Sequence, residues 1–401
     1  MAQTTRALTL NIGSSSLKAA LYEVGPADDA LLIFAAHAER LGASGSHMSV
    51  RDARGATLFT TEQGLSDHPT ALQTLLGWLH QQDESGFDVV GHRVVFGGQQ
   101  YREPQLITDD LVASLAGLSH FDALHMPQAL RAIAYTRREY PRIAQVACFD
   151  TAFHRTMPQE ARLYGLPYAL ADAGVIRYGF HGLSCESILL QLRALDPEAA
   201  EGRVIIAHLG AGASMTAARN GVSLDTTMGF TPTGGLVMGT RSGDLDPEVI
   251  LYLLEERKLD AAALRRLFTA ESGLLGVSGV SGDMRDLLEQ SATNPRASAA
   301  VTLFCYQARK YLGALAAALG GVETLVFTGG IGEHAAEVRK RICADLDFLG
   351  VRVDTARNAA TAAIISTEGS PVTIRVMRSE EDRMIALHTS RLMQQGMLGQ
   401  G

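Results

Sequence analysis

The chain has 401 residues, of which 46% are hydrophobic, and a formal net charge of −8 at pH 7. A single hydrophobic core rarely serves more than roughly 250–300 residues, so two domains are expected. The negative charge argues against a nucleic-acid surface, and the apolar runs are too short for a membrane span or a signal peptide, so a cytoplasmic protein is expected. Four cysteines without metal-ligand spacing are expected to be reduced thiols.

The first predicted element is a β-hairpin over residues 7–24. Its turn has the sequence Asn-Ile-Gly-Ser-Ser-Ser, beginning at Asn11. Glycine takes φ > 0 at little cost, and backbone N–H groups in such a turn can close on an anion. The next predicted elements are strands at 31–41 and 57–61, a Gly/Ser-rich loop at 42–49, and a helix from about residue 67.

Two further strands of the first half are predicted to end in charged residues. The strand at 88–94 carries Arg93 beside a run of glycines, and the buried strand at 144–149 delivers Asp150 at its C-terminal end. Helices are predicted at 108–118 and 127–138. The order of hairpin, strand, helix and strand is that of an actin-like or ribonuclease H-like domain.

A second hairpin, at 202–224, repeats the plan of the first. His208 falls where Asn11 does, and Gly210 falls where Gly13 does. The pair predicts a duplicated α/β fold of the ribonuclease H-like (actin/hexokinase/Hsp70) type, with a phosphate site facing the cleft between the copies. Turns that simply join strands are the alternative. The remaining predicted elements are helices at 185–195, 248–256, 259–268, 297–319, about 335–346 and 383–393, strands at 324–327 and 372–377, and loops at 225–246 and 278–286.

Three Gly-rich turns, at 208–214, 234–243 and 328–332, are predicted at strand ends, and the sequence has no Walker lysine motif. This pattern favours a nucleotide held by backbone groups rather than by a P-loop.

Five long motifs closely resemble those of the acetate kinases: LTLNIGSSSLKAALYEV, RYGFHGLS, IIAHLGAGASMTA, MGFTPTGGLVMGTRSGDLDP and VFTGGIGEHAAEVRKRIC. The resemblance covers essentially the whole chain. It implies a homodimer that transfers phosphate reversibly between ATP and acetate, giving ADP and acetyl phosphate, with Mg²⁺ or Mn²⁺. It also implies an acyl and phosphate domain at 1–150 plus 381–401, and a nucleotide-binding domain with the dimer interface at 151–380.

The resemblance further assigns roles to matched residues. The catalytic set that it implies is Arg93, Asp150, His181 and Arg241. The acetate pocket that it implies consists of Arg93, Val95, Leu124, Phe180 and Pro232. The nucleotide and phosphate set is Ser14, Ser16, Lys18, His208, Leu209, Gly210, Gly212, Asp283, Met284, Arg285, Gly330, Ile331, Gly332 and His334. The metal residues are Asn11 and Glu380, with the neighbouring Glu381 as the open alternative.

The chemistry of the acceptor agrees with this set. A carboxylate with a pKa near that of a Glu side chain, ~4.3, is already ionised at pH 7, so it needs no general base. Two arginines and a cation can offset the repulsion between two approaching anions, so Asp150 is expected to orient a metal or water. Ala211 and His334 depart from the family pattern and leave nucleotide selectivity open. A propionate kinase and a non-catalytic, actin-like ATP switch are the alternatives.

Overall fold

The computed structural model describes residues 4–13, 16–42, 45–62, 64–82, 86–119, 121 and 125–398. The chain divides into two compact units. Unit 1 comprises Met1–Ala152 and Glu380–Gly401, and unit 2 comprises Phe153–Ser379. Among the described residues, none of the helices combines the length and the hydropathy that a membrane crossing requires.

Unit 1 contains a mixed sheet, and its strands β1, β6 and β8 run parallel to one another. The strands are β1 Thr5–Ile12, β2 Leu17–Val24, β3 Ala30–Glu39, β4 His47–Asp52, β5 Thr57–Thr61, β6 Val89–Val94, β7 Gln105–Leu106 and β8 Ala144–Phe149. Their order across the sheet is β5-β4-β3-β2-β1-β6-β8-β7. The helices that precede the second unit are α1 His68–His80, α2 Asp109–Gly117 and α3 Met126–Glu139.

Unit 2 contains a second mixed sheet with helices between its strands. Its strands are β9 Arg203–Leu209, β10 Ala213–Arg219, β11 Val222–Thr226, β12 Thr324–Thr328 and β13 Thr373–Val376, in the order β11-β10-β9-β12-β13. Its helices are α4 Gln159–Arg162, α5 Tyr168–Asp172, α6 Gly182–Leu195, α7 Pro197–Glu201, α8 Pro247–Glu255, α9 Ala261–Ala270, α10 Gly273–Ser278, α11 Met284–Gln290, α12 Pro295–Leu319, α13 Gly329–His334, α14 Ala336–Cys343 and α15 Thr355–Ala359. Short 3₁₀ helices lie at Ala152–Thr156 and Asp347–Leu349.

The two sheets share one topology. In unit 1 the order β3-β2-β1-β6-β8 places three consecutive strands in reverse chain order, followed by two later strands, and β11-β10-β9-β12-β13 repeats this arrangement in unit 2. In both units the first three strands are antiparallel and the last two run parallel to the first. The duplicated fold predicted from the paired hairpins is therefore confirmed.

The chain returns to unit 1 through α16, Glu381–Leu398, which packs on β1, β6 and β8. Its residues Ile385 and Thr389 lie so close to β6 that a Cβ on Gly91 would collide with both. Glycine is required here because only a residue without a side chain lets the helix approach the strand. This packing carries the first residues of α16 to the C-terminal end of β1.

Two local predictions were wrong. The Gly/Ser-rich segment at 42–49 was predicted to be a loop, but β4 begins at His47, because Met48 and Val50 are buried at alternate positions and pair with β3 and β5. The glycines at 329–332 were predicted to be a turn but begin α13. Arg339 stabilises this short helix by donating to the carbonyls of Gly332 and Glu333, a contact that local propensity does not reveal.

Candidate functional site

Three polar side chains meet at the carboxyl edge of the unit 1 sheet. Asn11 lies near the end of β1, Arg93 near the end of β6, and Asp150 directly after β8. Arg93 donates from Nη2 to Asp150 Oδ2 over 2.6 Å and from Nη1 to Asn11 Oδ1 over 3.1 Å. The carboxyl ends of strands in open α/β sheets are where ligands commonly bind. The parallel pairing of these strands thus brings the predicted residues together.

Arg93 is a fixed and permanently charged cation. Burial lowers the pKa of Arg93, but the carboxylates of Asp150 and Glu381 outweigh that effect, so its pKa lies above the ordinary value. Asp150 is 1% exposed. Among the described residues, Arg93 Nε is buried without a hydrogen-bond partner, although most buried polar atoms have one. The guanidinium therefore suits recognition of an additional anionic group.

Two adjacent glutamates at the start of α16 have different partners. Asn11 donates from Nδ2 to Glu381 Oε2 over 2.9 Å, whereas Glu380 accepts from Arg383 Nη1 over 3.1 Å. Successive residues on a helix are rotated by about 100° from one another, which agrees with the different partners of these two carboxylates. In the structure, the carboxylate of Glu381 is hydrogen-bonded to Asn11. The choice between Glu380 and Glu381 as the metal residue stays a prediction.

A third carboxylate, Asp382, is buried beside the same cluster. Burial raises the pKa of Asp382 to about 6, and the nearby Glu381 raises it as well. Within the described part of the chain, its Oδ1 is buried without a hydrogen-bond partner. Lys18, on β2 opposite Asn11, acts in the other direction and lowers this pKa.

The oxygen atoms of this cluster fit a magnesium ion. The described residues contain no group of three or more His, Cys, Asp and Glu side chains that could hold a metal by themselves. Mg²⁺ prefers oxygen ligands and usually binds through one or two carboxylates, waters and substrate phosphates. Asn11 and Glu381, with the unpartnered oxygen of Asp382 beside them, match that requirement.

In unit 2, the turn between β9 and β10 lies beside two side chains that can donate hydrogen bonds, those of His181 and Arg241. Gly210 donates its backbone N–H to the carbonyl of Gly212 over 3.0 Å, which closes the turn. A Cβ placed on Gly212 would lie 3.5 Å from Arg241 Nη1 and 3.5 Å from His181 Nε2. Backbone, guanidinium and imidazole therefore converge on one point. Such a cradle suits a phosphate group.

Two imidazoles stack beside this turn. The ring centroids of His181 and His208 are 4.2 Å apart, with an angle of 24° between the ring planes. His181 Nδ1 lies 2.9 Å from Ser214 Oγ, and His208 Nδ1 lies 2.7 Å from Ser184 Oγ. His181 has left-handed backbone angles, φ 59° and ψ 28°, which are uncommon outside glycine and concentrate at functional sites.

The long loop between β11 and α8 carries Arg241 and Pro232. Arg241 Nη1 donates to the carbonyl of Pro232 over 3.0 Å. Asp244 closes the loop by accepting from the backbone N–H of Gly235 over 2.7 Å, and Tyr311 donates its hydroxyl to the same carboxylate. Hydrogen bonds within the loop predicted at 225–246 therefore hold these two residues in place.

The predicted nucleotide residues of unit 2 divide into exposed and buried groups. Asp283 caps α11 through the N–H of Arg285 and pairs with the Arg285 side chain, which is 85% exposed. Gly330, on α13, and His334 are exposed as well. Ala211 is also exposed, and its carbonyl accepts from Gly239. The buried members are Leu209, Met284 and Gly332.

Several other predicted residues have simpler environments. Lys18 is exposed, Ser16 accepts from the Gly13 N–H through its carbonyl, and Val95 is buried in unit 1. Phe180 is buried in unit 2. Ser14 and Leu124 lie outside the described residues. Ser184 and Ser214 were not among the predicted site residues, although Ser214 pairs with His208 across the predicted second hairpin.

Comparisons with known proteins agree on one family. A model of the Acetokinase family matches residues 6–387. The chain is 45% identical over 395 residues to an acetate kinase of Rhodopseudomonas palustris (strain TIE-1), which covers 96% of this chain and 98% of that protein. It is 43% identical over 399 residues to an acetate kinase of Methylocella silvestris, covering 97% and 98% of the two chains.

Two solved structures extend the comparison to three dimensions. The crystal structure of Porphyromonas gingivalis acetate kinase matches with a TM-score of 0.84 and 37% identity, over 97% of this chain and 100% of that one. The structure of a propionate kinase from Francisella tularensis matches with a TM-score of 0.88 and 32% identity, over 96% and 99% of the two chains.

Proposed function

Since this chain belongs to the acetokinase family and is a phosphotransferase with a carboxyl group as acceptor, we propose roles for its polar residues in the transfer between ATP and acetate. The observation that carries the proposal is the fixed Arg93, held by Asp150 and Asn11 at the carboxyl edge of the unit 1 sheet. In this role Arg93 binds the carboxylate and the transferring phosphoryl group. Asp150 keeps the guanidinium charged and in place.

The reaction needs charge neutralisation more than proton transfer. Acetate is ionised at neutral pH, so the nucleophile forms without a base, and Asp150 acts as an orienting residue. A carboxylate that approaches a phosphoryl group meets strong like-charge repulsion. Preorganised cations lower the energy of the transition state because the charge that develops there finds them already in position. Arg93 and Arg241 supply two such cations.

Unit 2 is proposed to bind the nucleotide. The turn at 210–212, with His181 Nε2 and Arg241 Nη1 beside it, would receive the phosphates. His208 and His181 would donate to phosphate oxygens, and the half-buried Asp283 and the exposed Arg285 and Gly330 would contact the adenosine. Phe180 and Pro232 of unit 2 are proposed to receive the methyl group of acetate, and the same role is proposed for Val95 of unit 1.

Asn11 and Glu381 are proposed to hold Mg²⁺, for which Mn²⁺ is the alternative. The bound ion would neutralise negative charge on the nucleotide phosphates. We place the enzyme in the cytoplasm, where ATP is available and where its four buried cysteines, all free thiols, would stay reduced.

The test of this function traps the product as an acyl hydroxamate. Purified protein with ATP, Mg²⁺ and formate, acetate, propionate or butyrate is expected to form hydroxamate fastest with acetate. A faster reaction with propionate would instead favour the propionate kinase alternative. This alternative is retained because the chain is also similar to the Francisella propionate kinase. One methylene in an apolar pocket is worth only about 1–3 kcal/mol, so measured kcat/KM values are needed. If no hydroxamate forms with any of the four acids, the enzyme reading fails and the non-catalytic ATP switch is the remaining alternative.

A homodimer is proposed from the surface of unit 2. None of the residues of α8 is buried, yet the helix is almost entirely apolar, and Leu251 and Tyr252 are 43% and 49% exposed. Large exposed apolar patches mark interaction surfaces, and the second copy is the occupant that the family resemblance implies. We expect a dimer for the native chain by light scattering and a monomer for Leu251→Glu combined with Tyr252→Glu.

The matched control for that experiment is Leu195→Glu, because Leu195 is an exposed leucine at the end of another helix. It is expected to leave the dimer intact. A native chain with the mass of a monomer, or a double variant that remains dimeric, would contradict the proposed interface.

A further inference from the structure

The stacked histidines of unit 2 are each held by a serine. Ser214, on β10, reaches Nδ1 of His181, and Ser184, in the first turn of α6, reaches Nδ1 of His208. Both serines are buried, with exposures of 1% and 0%. The two contacts are equivalent, since each hydroxyl meets the ring nitrogen that lies nearer the backbone. The two rings are therefore expected to have the same tautomer.

We propose that Ser214 and Ser184 are positioning residues that keep His181 and His208 as neutral imidazoles with the ring proton on Nε2. This inference rests on the proposed function, because it specifies how the same histidines meet a phosphoryl group. It assigns a role to two serines that have no other part in the proposed site.

The direction of each hydrogen bond follows from burial. Among the described residues, the hydroxyl of each serine has its imidazole as its one hydrogen-bond partner. A buried hydroxyl that keeps its hydrogen unpaired loses the hydrogen bond it would make to water, so each serine donates to Nδ1. A nitrogen that accepts carries no hydrogen. In a neutral ring the proton is then on Nε2.

The Nε2 side of both rings faces the Gly-rich turn. A Cβ on Gly212 would lie 3.5 Å from His181 Nε2, and a Cβ on Gly210 would lie 4.0 Å from His208 Nε2. An anion in this turn requires donors, and the opposite tautomer would present lone pairs to it. The serines thus select the tautomer that can donate to phosphate.

Stacking favours the neutral state of both rings. Two imidazolium ions with centroids 4.2 Å apart would repel each other strongly in a partly buried site. Neutral Nε2–H groups avoid that repulsion and still supply two hydrogen bonds. Arg241, whose Nη1 lies 3.5 Å from the same Cβ position at Gly212, contributes the full positive charge.

A third histidine of unit 2 provides an internal reference. His154 Nδ1 lies 2.9 Å from Ser223 Oγ, and its Nε2 lies 2.9 Å from the carbonyl oxygen of Phe180. A carbonyl can only accept, so His154 must carry its proton on Nε2 and accept from Ser223. The ¹⁵N chemical shifts of its two ring nitrogens therefore serve as the reference for His181 and His208, which are expected to have the same tautomer.

The tautomers can be measured directly by ¹⁵N NMR of the full-length chain labelled at histidine. His154→Gln, His181→Gln and His208→Gln variants assign the three rings. We expect all three rings to show a protonated Nε2 and an unprotonated Nδ1 at pH 7.5. A protonated Nδ1 at His181 or His208, with His154 as expected, would overturn the proposal.

Kinetics separate positioning from a purely structural role. Ser214→Ala and Ser184→Ala are each expected to lower kcat by about 3–10-fold, the equivalent of one hydrogen bond, and to give mixed tautomers at the affected ring. KM for acetate is expected to stay within about twofold. Unchanged kcat with unchanged tautomers in both variants would overturn the proposal.

The control is Ser223→Ala, which removes the same type of buried contact from His154. It is expected to lower Tm about as much as Ser214→Ala does while kcat remains within about twofold, since both lose one net hydrogen bond. An equal fall of kcat in Ser223→Ala would make the effect structural and overturn the proposal. If no acyl hydroxamate forms although the NMR shows Nε2–H, the proposed function fails and the tautomer assignment stands.

Discussion

Replacing Arg93 with alanine is expected to lower kcat for acetyl phosphate formation by about 10³–10⁵-fold, the range found when a transition-state arginine is absent. The large effect follows from its environment, because Asp150 and Asn11 hold the guanidinium in one orientation and no reorganisation is needed during the reaction. The hydroxamate assay with saturating ATP and acetate measures the loss. Arg93→Lys, which keeps the charge but not the two-point contact, is expected to recover only part of it.

Stability must be measured alongside activity, because Arg93→Ala also removes the ion pair with Asp150. Breaking a buried pair of this kind costs about 3–5 kcal/mol, so circular dichroism and Tm must show a folded variant. Arg137→Ala is the matched control, since Arg137 forms an exposed ion pair with Asp109 in the same unit, and such pairs contribute about 0–1 kcal/mol. A folded Arg93→Ala variant with kcat within tenfold of the native value would refute the assigned role.

Glu381→Gln is expected to raise the Mg²⁺ concentration needed for half-maximal activity by at least about 10–100-fold. Mutation of residues that only orient metal ligands already lowers metal affinity by about this factor. The carboxylate that accepts from Asn11 would lose its charge while its shape is retained. A titration of activity against Mg²⁺ at fixed ATP measures this shift. Direct binding of Mn²⁺, followed by electron paramagnetic resonance without substrate turnover, gives a second readout.

The neighbouring Glu380→Gln provides the matched comparison. Its carboxylate pairs with Arg383, so the Mg²⁺ requirement is expected to stay within about threefold. If Glu380→Gln instead shows the larger shift, the metal ligand is Glu380 and the assignment from the structure is wrong.

Sequence patterns predicted the features that depend on local chemistry. The turn residues of both hairpins predicted the duplicated topology, and the helix predicted at 108–118 is α2, which Thr108 caps by accepting from the N–H of Leu111. Arg93 and Asp150 were predicted at the ends of two strands and Asn11 in the turn of the first hairpin, and the parallel pairing of β1, β6 and β8 brings the three together. These inferences needed only strand order and residue type.

Contacts between distant parts of the chain could not be predicted in the same way. Asn11 and Glu381 are 370 residues apart, and two adjacent glutamates offer no local signal to distinguish them. The direction of the first turn of α16 decides between them, and that direction depends on the packing of Ile385 against β6. The Ser184 contact to His208 likewise depends on how α6 lies against β9, which no periodicity reveals.

The discontinuity of unit 1 has a consequence for synthesis on the ribosome. Met1–Ala152 leaves the ribosome first, but α16 follows only after the whole of Phe153–Ser379 has been made. Domains fold largely as units while the chain is being synthesised, so unit 2 can fold before unit 1 is complete. Until then α16 cannot cover the surface of β1 and β6 on which it packs. Glu381 lies on the same helix, so the carboxylate that we propose as a metal ligand reaches unit 1 only when α16 packs on it.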